Sequence, residues 1–382
     1  MANTIMVVGG YAPSLLNFRG DLLRAIRDAG WRVVACAPNP DPELVSDMAR
    51  QGIECRRLDL DRTGLNPLRD LATLREFAAL LRQIRPQVLL PYTVKPVLYG
   101  SLAARLVRGT RVVSLITGLG SLFAEGSSPL KRVAVHGMFR LALAHNETVV
   151  FQNPDDRDHF VDARLVASHR AAVIAGSGVN LSRFSPAPLP PGPPRFLMIA
   201  RLLVDKGVRE YAAAAALLRQ RGYDVRCDLV GPLERHARAV AAAELEEWTR
   251  RGLVRWHGSV ADVRPYLHDC AVYVLPSAYR EGTPRSILEA LATGRPVITT
   301  DTPGCRQTVV DGINGYLVPP RDPRALAEAM ERFLRDPDLL PAMASASLRI
   351  AREQFDVDLV NRDLLAILRI SPEPPVASRS GS

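Results

Sequence analysis

Cysteine, lysine and long apolar runs are all scarce in this chain. Five cysteines stand among 382 residues, at 36, 55, 227, 270 and 305. The number is odd and no two are spaced C-x2-C, which argues against a disulfide framework and against a cysteine-rich zinc site. Unpaired thiols suit a reducing compartment, so a cytoplasmic location is expected. No charge-free apolar run reaches about 18 residues, so no segment is expected to span a bilayer as a helix. The first residues, MANTIMVVGG, lack a basic n-region and a small-residue cleavage site. They read as a first core strand rather than a secretory signal. Basic residues are scattered singly, without aromatic interleaving or zinc-finger spacing, so nucleic acid is not an expected partner. Also missing are a G-x-G-x-x-G turn, an H-E-x-x-H pair and a Ser-His-Asp order. The two D-x-D tracts, Asp59-Leu60-Asp61 and Asp336-Pro337-Asp338, and the helical histidines His136 and His145 carry no metal or base assignment. No metal and no cofactor are expected.

Charge is present in excess of one sign. The formal net charge is +9, and residues 1–190 hold 23 Lys and Arg against 16 Asp and Glu. A basic first half favours phosphorylated ligands or an anionic membrane surface. Only three of the 49 basic residues are lysine: Lys95, Lys131 and Lys206. In a chain that otherwise uses arginine, each lysine is a candidate for a site needing a compact ammonium.

Short apolar runs alternate with longer helical patterns. Thr4–Val8, Arg32–Ala35, Val88–Leu90, Arg111–Ile116 and Thr148–Phe151 read as strands of a first half, with a helix from about Phe18 to Ala29. The proline-dense stretch 185–194, SPAPLPPGPP, can join neither a helix nor a central strand, and reads as an interdomain linker. The alternation restarts with Phe196–Ala200, a helix over Val208–Gln220, Arg226–Val230, Leu253–Trp256, Val272–Leu275 and Val297–Thr299. The pattern predicts an α/β chain with two parallel-sheet domains, 1–184 and 195–355, a closing helix over 356–370 and a disordered tail over 371–382. In such sheets ligands bind beyond the carboxyl ends of the strands, so the loops that follow strands carry the information.

Two of these loops stand out. In LPSAYREGTPRSILEALATG (275–294), a buried strand ends at Leu275 and a helix follows. Thr283 suits the N-cap and Pro284 the first helical position. Glu281 falls in the loop and Glu289 on the helix. Free N–H groups from Gly282 to Ser286 can receive an anion. A capped helix with two surface glutamates reads the same residues without a ligand. In IARLLVDKG (199–207), Arg201 and Lys206 follow the first strand of the second half and can neutralise a diphosphate. A solvated basic loop is the plain alternative.

Together the two segments carry a resemblance. ARLLVDKG and YREGTPRSILEALATGRPVITTDTPGCRQTVVDGINGYLVPP resemble the donor-binding signature of family 4 glycosyltransferases with the GT-B fold, Glu281 and Glu289 forming its E-x7-E element. VVFQNPDDRDHF and GSGVNLSRFSP agree, and the match covers nearly the whole chain. LDRTGLNPLRDL, KPVLYGSLAARL and TGLGSLF resemble bacterial enzymes that extend a polyprenyl-diphosphate-linked sugar, N-acetylgalactosaminyltransferases being the nearest type.

The resemblance implies two Rossmann-like domains facing across a cleft and a retaining, metal-independent transfer from a nucleotide sugar, UDP being the expected nucleotide. Arg201 and Lys206 would hold the diphosphate and Glu281 the transferred hexose. Glu289 would hold the ribose. Gly282, Thr283, Pro284 and Arg285 would meet the sugar and phosphates. Gly231, His257 and Gly258 would lie near the base. The polyprenyl-diphosphate-linked acceptor implies work at the inner face of the cytoplasmic membrane. A nucleotide-sugar 2-epimerase and a non-catalytic sugar-binding relative are the alternatives, and the intact glutamates and the Arg201/Lys206 pair speak against both.

In the first half, Gly9 and Gly10 end a strand and allow a donor or acceptor to approach, though a tight turn explains them equally. Arg19 opens the following helix and suits an acceptor phosphate, a solvated arginine being the alternative; Lys95 at a strand end suits an acceptor or donor phosphate, and Gly118, in the loop after another strand, suits the acceptor. Pro129–His145 combines Lys131, Arg132 and Arg140 with Leu130, Val133, Met138, Phe139 and Leu141. It is the candidate for peripheral contact with anionic lipid, packing on its own sheet being the alternative.

Overall fold

The computed structural model describes residues 3–61, 67–107, 109–120, 129–234 and 237–371, with the side chains of 67 and 129–132 left aside. The chain divides into two units, Met1–Ser177 with Asp358–Ser382, and Gly178–Val357.

In the first unit β1 (Thr4–Val8), β2 (Arg32–Ala37), β3 (Glu54–Arg57), β4 (Val88–Pro91), β5 (Arg111–Ile116), β6 (Thr148–Phe151) and β7 (Ala171–Val173) form one sheet in the order β3-β2-β1-β4-β5-β6-β7. The pairings are parallel. β1 is buried along its whole length, as a strand covered on both faces must be. Its alternate residues feed two cores. Ile5 and Val7 join Val33, Ala35 and Leu90 on one face, and Met6 and Val8 join Val34, Cys36 and Leu89 on the other.

In the second unit β8 (Arg195–Ile199), β9 (Arg226–Val230), β10 (Arg255–Trp256), β11 (Val272–Leu275), β12 (Val297–Thr300) and β13 (Gly315–Val318) run in the order β10-β9-β8-β11-β12-β13, again parallel. In each sheet the strand order reverses once, between β1 and β4 and between β8 and β11. Loops leaving the carboxyl ends of those strands diverge to opposite faces and open a crevice there.

Three strands escape the sequence pattern: β3 (ECRR), β7 (AAV) and β13 (GYLV). β3 and β7 are partly exposed edge strands, so neither needs an apolar run. The first helix is also shorter than expected, Gly20–Asp28 behind a separate turn at Ser14–Asn17.

The chain passes from one unit to the other at Ser177/Gly178, not within 185–194. That proline-dense stretch lies in the second unit. Ala187 N–H donates to Thr293 O at 3.3 Å, and the fully buried Arg295 donates to Pro188 O at 3.0 Å and Leu267 O at 2.8 Å. The closing helix, Val357–Leu368, belongs with the first unit from Asp358 onward. Val360, Leu364, Leu368 and Ile370 are buried in the same core as Ile5 and Val7. The tail from 372 lies outside the described residues.

The proposed lipid-facing segment is a helix, Pro129–Leu143. Phe139 does not face outward as expected. It is fully buried with Ala142 and Leu143 and stacks edge-on against Phe160, because this face covers the sheet. Val133, Met138 and Leu141 are exposed. The side chains of Leu130, Lys131 and Arg132 lie outside the described residues. Among the described residues no helix is long and apolar enough to cross a membrane.

Candidate active site

The loops after β8 and β11 meet at the crevice of the second unit. Lys206 Nζ donates to Glu281 Oε1 across 75 residues of sequence, with side chains only 14% and 11% exposed. The ammonium also sits 5.0 Å from the centre of the Tyr279 ring. Ser277, wholly buried, donates from Oγ to the same Glu281 Oε1 at 3.0 Å and accepts the Tyr279 N–H at 3.2 Å. Ala278 N–H donates to Asp205 O at 2.9 Å, which ties the two loops together. Two glycines permit the approach. Gly207 has φ 81° and a Cβ there would lie 2.1 Å from Pro276 O; Gly304 has φ 84° and a Cβ there would lie 2.3 Å from Gly282 O.

The helix bearing Glu289 runs Arg285–Ala292, with Pro284 rather than Thr283 as its N-cap residue and no side-chain cap. Pro284 has ψ 115°, so it stays extended and the helix begins one residue later than its sequence suggests. Glu289 accepts from Arg285 Nε at 3.2 Å, one turn back, and both side chains are nearly buried. Burial pushes the Glu289 carboxyl above the usual glutamate value, against the opposing pull of the Arg285 guanidinium. Arg201 is more open. Its side chain is 40% exposed and its guanidinium lies 3.8 Å from Glu234. The crevice thus holds cations at the end of β8 and carboxylates on the β11 side. Among the described residues no three His, Cys, Asp or Glu side chains cluster as a metal site.

A third group lies beside them. Gly231 follows β9, donates its N–H to Gly258 O at 2.8 Å and accepts the Trp256 indole N–H at 3.0 Å. His257 Nε2 lies 2.6 Å from Asp228 Oδ1, and the ring packs edge-on against Tyr266. The structure therefore brings Gly231, His257 and Gly258 together at the ends of β9 and β10.

The first unit has its own crevice at β1 and β4. Gly9 lies against the Tyr92 ring, a Cβ there meeting the phenol oxygen at 2.2 Å, and Gly10 faces Thr93 Oγ1. Tyr92 shares a hydrogen bond with Ser14 Oγ at 2.8 Å, and burial raises its phenol to about 12. Arg19 is buried rather than solvated, 4% exposed, with its guanidinium 5.5 Å from the Tyr92 ring centre. Lys95 donates to Asp70 Oδ1 at 3.2 Å, and Asp70 also bonds the Tyr99 hydroxyl. Its charge is therefore matched within the unit, by a carboxylate that its sequence position did not announce. Gly118, with φ 106°, sits in the loop after β5; Ser121 beyond it lies outside the described residues.

Sequence reasoning missed Ser277, Tyr279 and Gly304. Each acts on Lys206, Glu281 or the loop that carries Glu281, and none has a motif of its own. The one available signal was position, a serine two residues past the end of a buried strand and a glycine in the D-T-P-G turn after β12.

Comparison with known proteins extends this picture. The family model described as Glycosyl transferase 4-like domain matches residues 17–177, and that described as Glycosyl transferases group 1 matches residues 193–336. The chain is 25% identical over 369 residues to N,N'-diacetylbacillosaminyl-diphospho-undecaprenol alpha-1,3-N-acetylgalactosaminyltransferase of Campylobacter jejuni, covering 93% of this chain and 95% of that one. It is 23% identical to the capsular polysaccharide biosynthesis glycosyltransferase CapM of Staphylococcus aureus, covering 85% and 89%. Among solved structures, Anabaena HepE in complex with UDP superposes with a TM-score of 0.76 at 19% identity, covering 97% of this chain and 100% of that one. The fold is GT-B, two Rossmann-like parallel-sheet domains.

Proposed function

The chain belongs to the group 1 and 4-like glycosyltransferases, and from that premise we propose that it moves a hexose or N-acetylhexosamine from a UDP-sugar to a polyprenyl-diphosphate-linked saccharide in bacterial polysaccharide or glycan assembly. The observation that carries this reading is the meeting of Lys206 and Glu281 at the switch point of the second sheet, with Arg201 on the same strand-end loop. A departing nucleoside diphosphate gains negative charge as its bond to the anomeric carbon breaks. Lys206 and Arg201 are fixed where that charge grows, and preorganised cations stabilise the transition state more than the ground state. Glu281 accepts from hydroxyls of the moving sugar and Glu289 from the ribose. Main-chain groups over Gly282, Thr283, Pro284 and Arg285 contact the sugar and phosphates. The base lies by Gly231, His257 and Gly258. In this reading the anomeric configuration is retained and no divalent ion takes part.

The acceptor class follows the Campylobacter relative, whose name specifies a diphospho-undecaprenol acceptor. We assign the acceptor to the first unit, at Arg19 and Gly118, with Lys95 contributing only what its Asp70 partner leaves. The outward face of the helix Pro129–Leu143, with Val133, Met138 and Leu141 exposed beside Arg140, supports peripheral docking on an anionic cytoplasmic leaflet.

The test is a donor screen with a synthetic polyprenyl-diphosphate sugar, with and without EDTA. Transfer from one UDP-sugar that survives chelation, with an α-configured product from an α-configured donor, is the expected result. No transfer from any nucleotide sugar overturns the reading. Transfer that stops with EDTA and returns with Mg²⁺ overturns its metal-free part.

A further inference from the structure

In the resting protein a single carboxylate oxygen, Glu281 Oε1, receives both the Lys206 ammonium and the Ser277 hydroxyl. A donor diphosphate carries more negative charge than one carboxylate and competes for that ammonium. When Lys206 turns to the diphosphate, the Ser277 hydroxyl stays on Oε1, because it cannot follow. We propose that Ser277 is a positioning residue for Glu281, holding its carboxylate on the sugar side while Lys206 serves the leaving group; this rests on the function proposed above.

The surroundings of Ser277 fit that task. Its side chain is wholly buried, so water does not compete for its proton. Its own carbonyl accepts from Thr302 Oγ1 at 3.2 Å and from Thr300 Oγ1, both at the end of β12, which pins the backbone from a neighbouring strand. Its Oγ accepts the Tyr279 N–H at 3.2 Å, which occupies a lone pair and leaves the hydroxyl proton to donate. The other acceptor in reach, Asp205 O, lies at 3.4 Å, against 3.0 Å for the charged Glu281 oxygen. The shorter, charge-assisted bond takes the proton. Tyr279 contributes from the other side. Its ring holds the ammonium at 5.0 Å, a contact weak enough to release Lys206.

Ser277→Ala removes that donor and little volume. A buried hydrogen bond to a charged group accounts for about a 10- to 100-fold change in an equilibrium or rate. We expect Ser277→Ala to lower kcat by about that factor while UDP alone, which lacks the sugar, binds within about twofold of wild type. On a Glu281→Ala background, which removes the acceptor, the same substitution should have almost no further effect, since the residue acts through that carboxylate. UDP affinity falling in step with kcat, or an undiminished effect on the Glu281→Ala background, overturns the proposal. If Ser277→Ala does not fold, Ser277→Cys keeps a weak donor of similar size. It should then show a smaller loss of kcat with the same dependence on Glu281, and a loss independent of Glu281 overturns the proposal equally. A failed function reading looks different: Glu281→Gln alone would leave transfer unchanged.

Discussion

The ammonium that we assign to a diphosphate is paired within its own unit. Lys206 rests on Glu281 and over the Tyr279 ring, and Arg201 stands 3.8 Å from Glu234. In the function proposed above, donor binding exchanges one anion for another at each of these cations. What changes in the transition state is the charge on the leaving oxygen, and only a cation held close to it responds. Lys206→Met should cost about 100- to 1000-fold in turnover, the size of one preorganised electrostatic contact. Steady-state kinetics with saturating donor checks this, and turnover above half of wild type refutes it. Glu289 makes a second residue-level prediction. Its carboxyl is pushed above 4.5 by burial, partly offset by Arg285. It takes up a proton at a higher pH than a free glutamate does, and as an acid it accepts hydrogen bonds poorly. UDP affinity should fall with decreasing pH through a midpoint above 4.5, and Glu289→Gln should lower affinity and abolish that limb. The same shift makes the folded state the better proton binder. This group's contribution to stability therefore rises as pH falls through its raised pKa toward the unfolded value. An acid limb that persists in Glu289→Gln assigns it to another group.

The crevice of the second unit is assembled by three strand-end loops pressed so close that side-chain atoms are excluded between them. Gly304 at the end of β12 has no room for a Cβ beside Glu281 O and Gly282 O, and its φ is 84°. Gly312 has a similar φ of 75° but open space around its Cα. Alanine at either position strains the backbone by about 1–3 kcal/mol. Only Gly304→Ala also displaces the loop that carries Glu281. Both variants should lose thermal stability, and only Gly304→Ala should lose turnover, by about tenfold or more, as misplacement of a catalytic group does. Equal turnover in the two variants refutes the contact's role. The elements also show what the sequence made legible. Buried central strands such as β1 and β11 announce themselves as apolar runs, because both of their faces are covered. Glu281, Glu289, Arg201 and Lys206 stand out because they follow such runs. β3 and β7, edge strands with fewer covered neighbours, carry no such pattern. Ser277, Gly304 and the Asp70 partner of Lys95 acquire their roles only from contacts with distant segments, which no local spacing encodes.

At the scale of the whole molecule, the chain leaves the first unit at Ser177 and returns to it at Asp358. The first unit is therefore incomplete until the last helix has been made. Val360, Leu364, Leu368 and Ile370 are each at most 3% exposed, in the core that holds Ile5, Val7, Val33 and Leu90. Arg111 adds a bond to Leu368 O at 3.0 Å, and Arg369 pairs with Glu147 at 3.0 Å. Four buried aliphatic side chains at about 1.5–3 kcal/mol each contribute about 6–12 kcal/mol. That matches the whole stability of an ordinary domain, about 5–15 kcal/mol. A chain ending at residue 357 should therefore lose the cooperative unfolding of the first unit while its second unit still melts and binds UDP. Residues 1–177 alone should not fold, whereas 1–177 joined to 358–371 through a flexible Gly/Ser linker should. Calorimetry of these fragments decides the matter, because it resolves each unit's transition separately. A first-unit transition unchanged in the chain ending at 357 would show that the helix merely covers a core already stable without it. Its loss, with recovery in the fusion, would make the C-terminal segment an obligate part of the first unit, ordered only after the second unit has been synthesised.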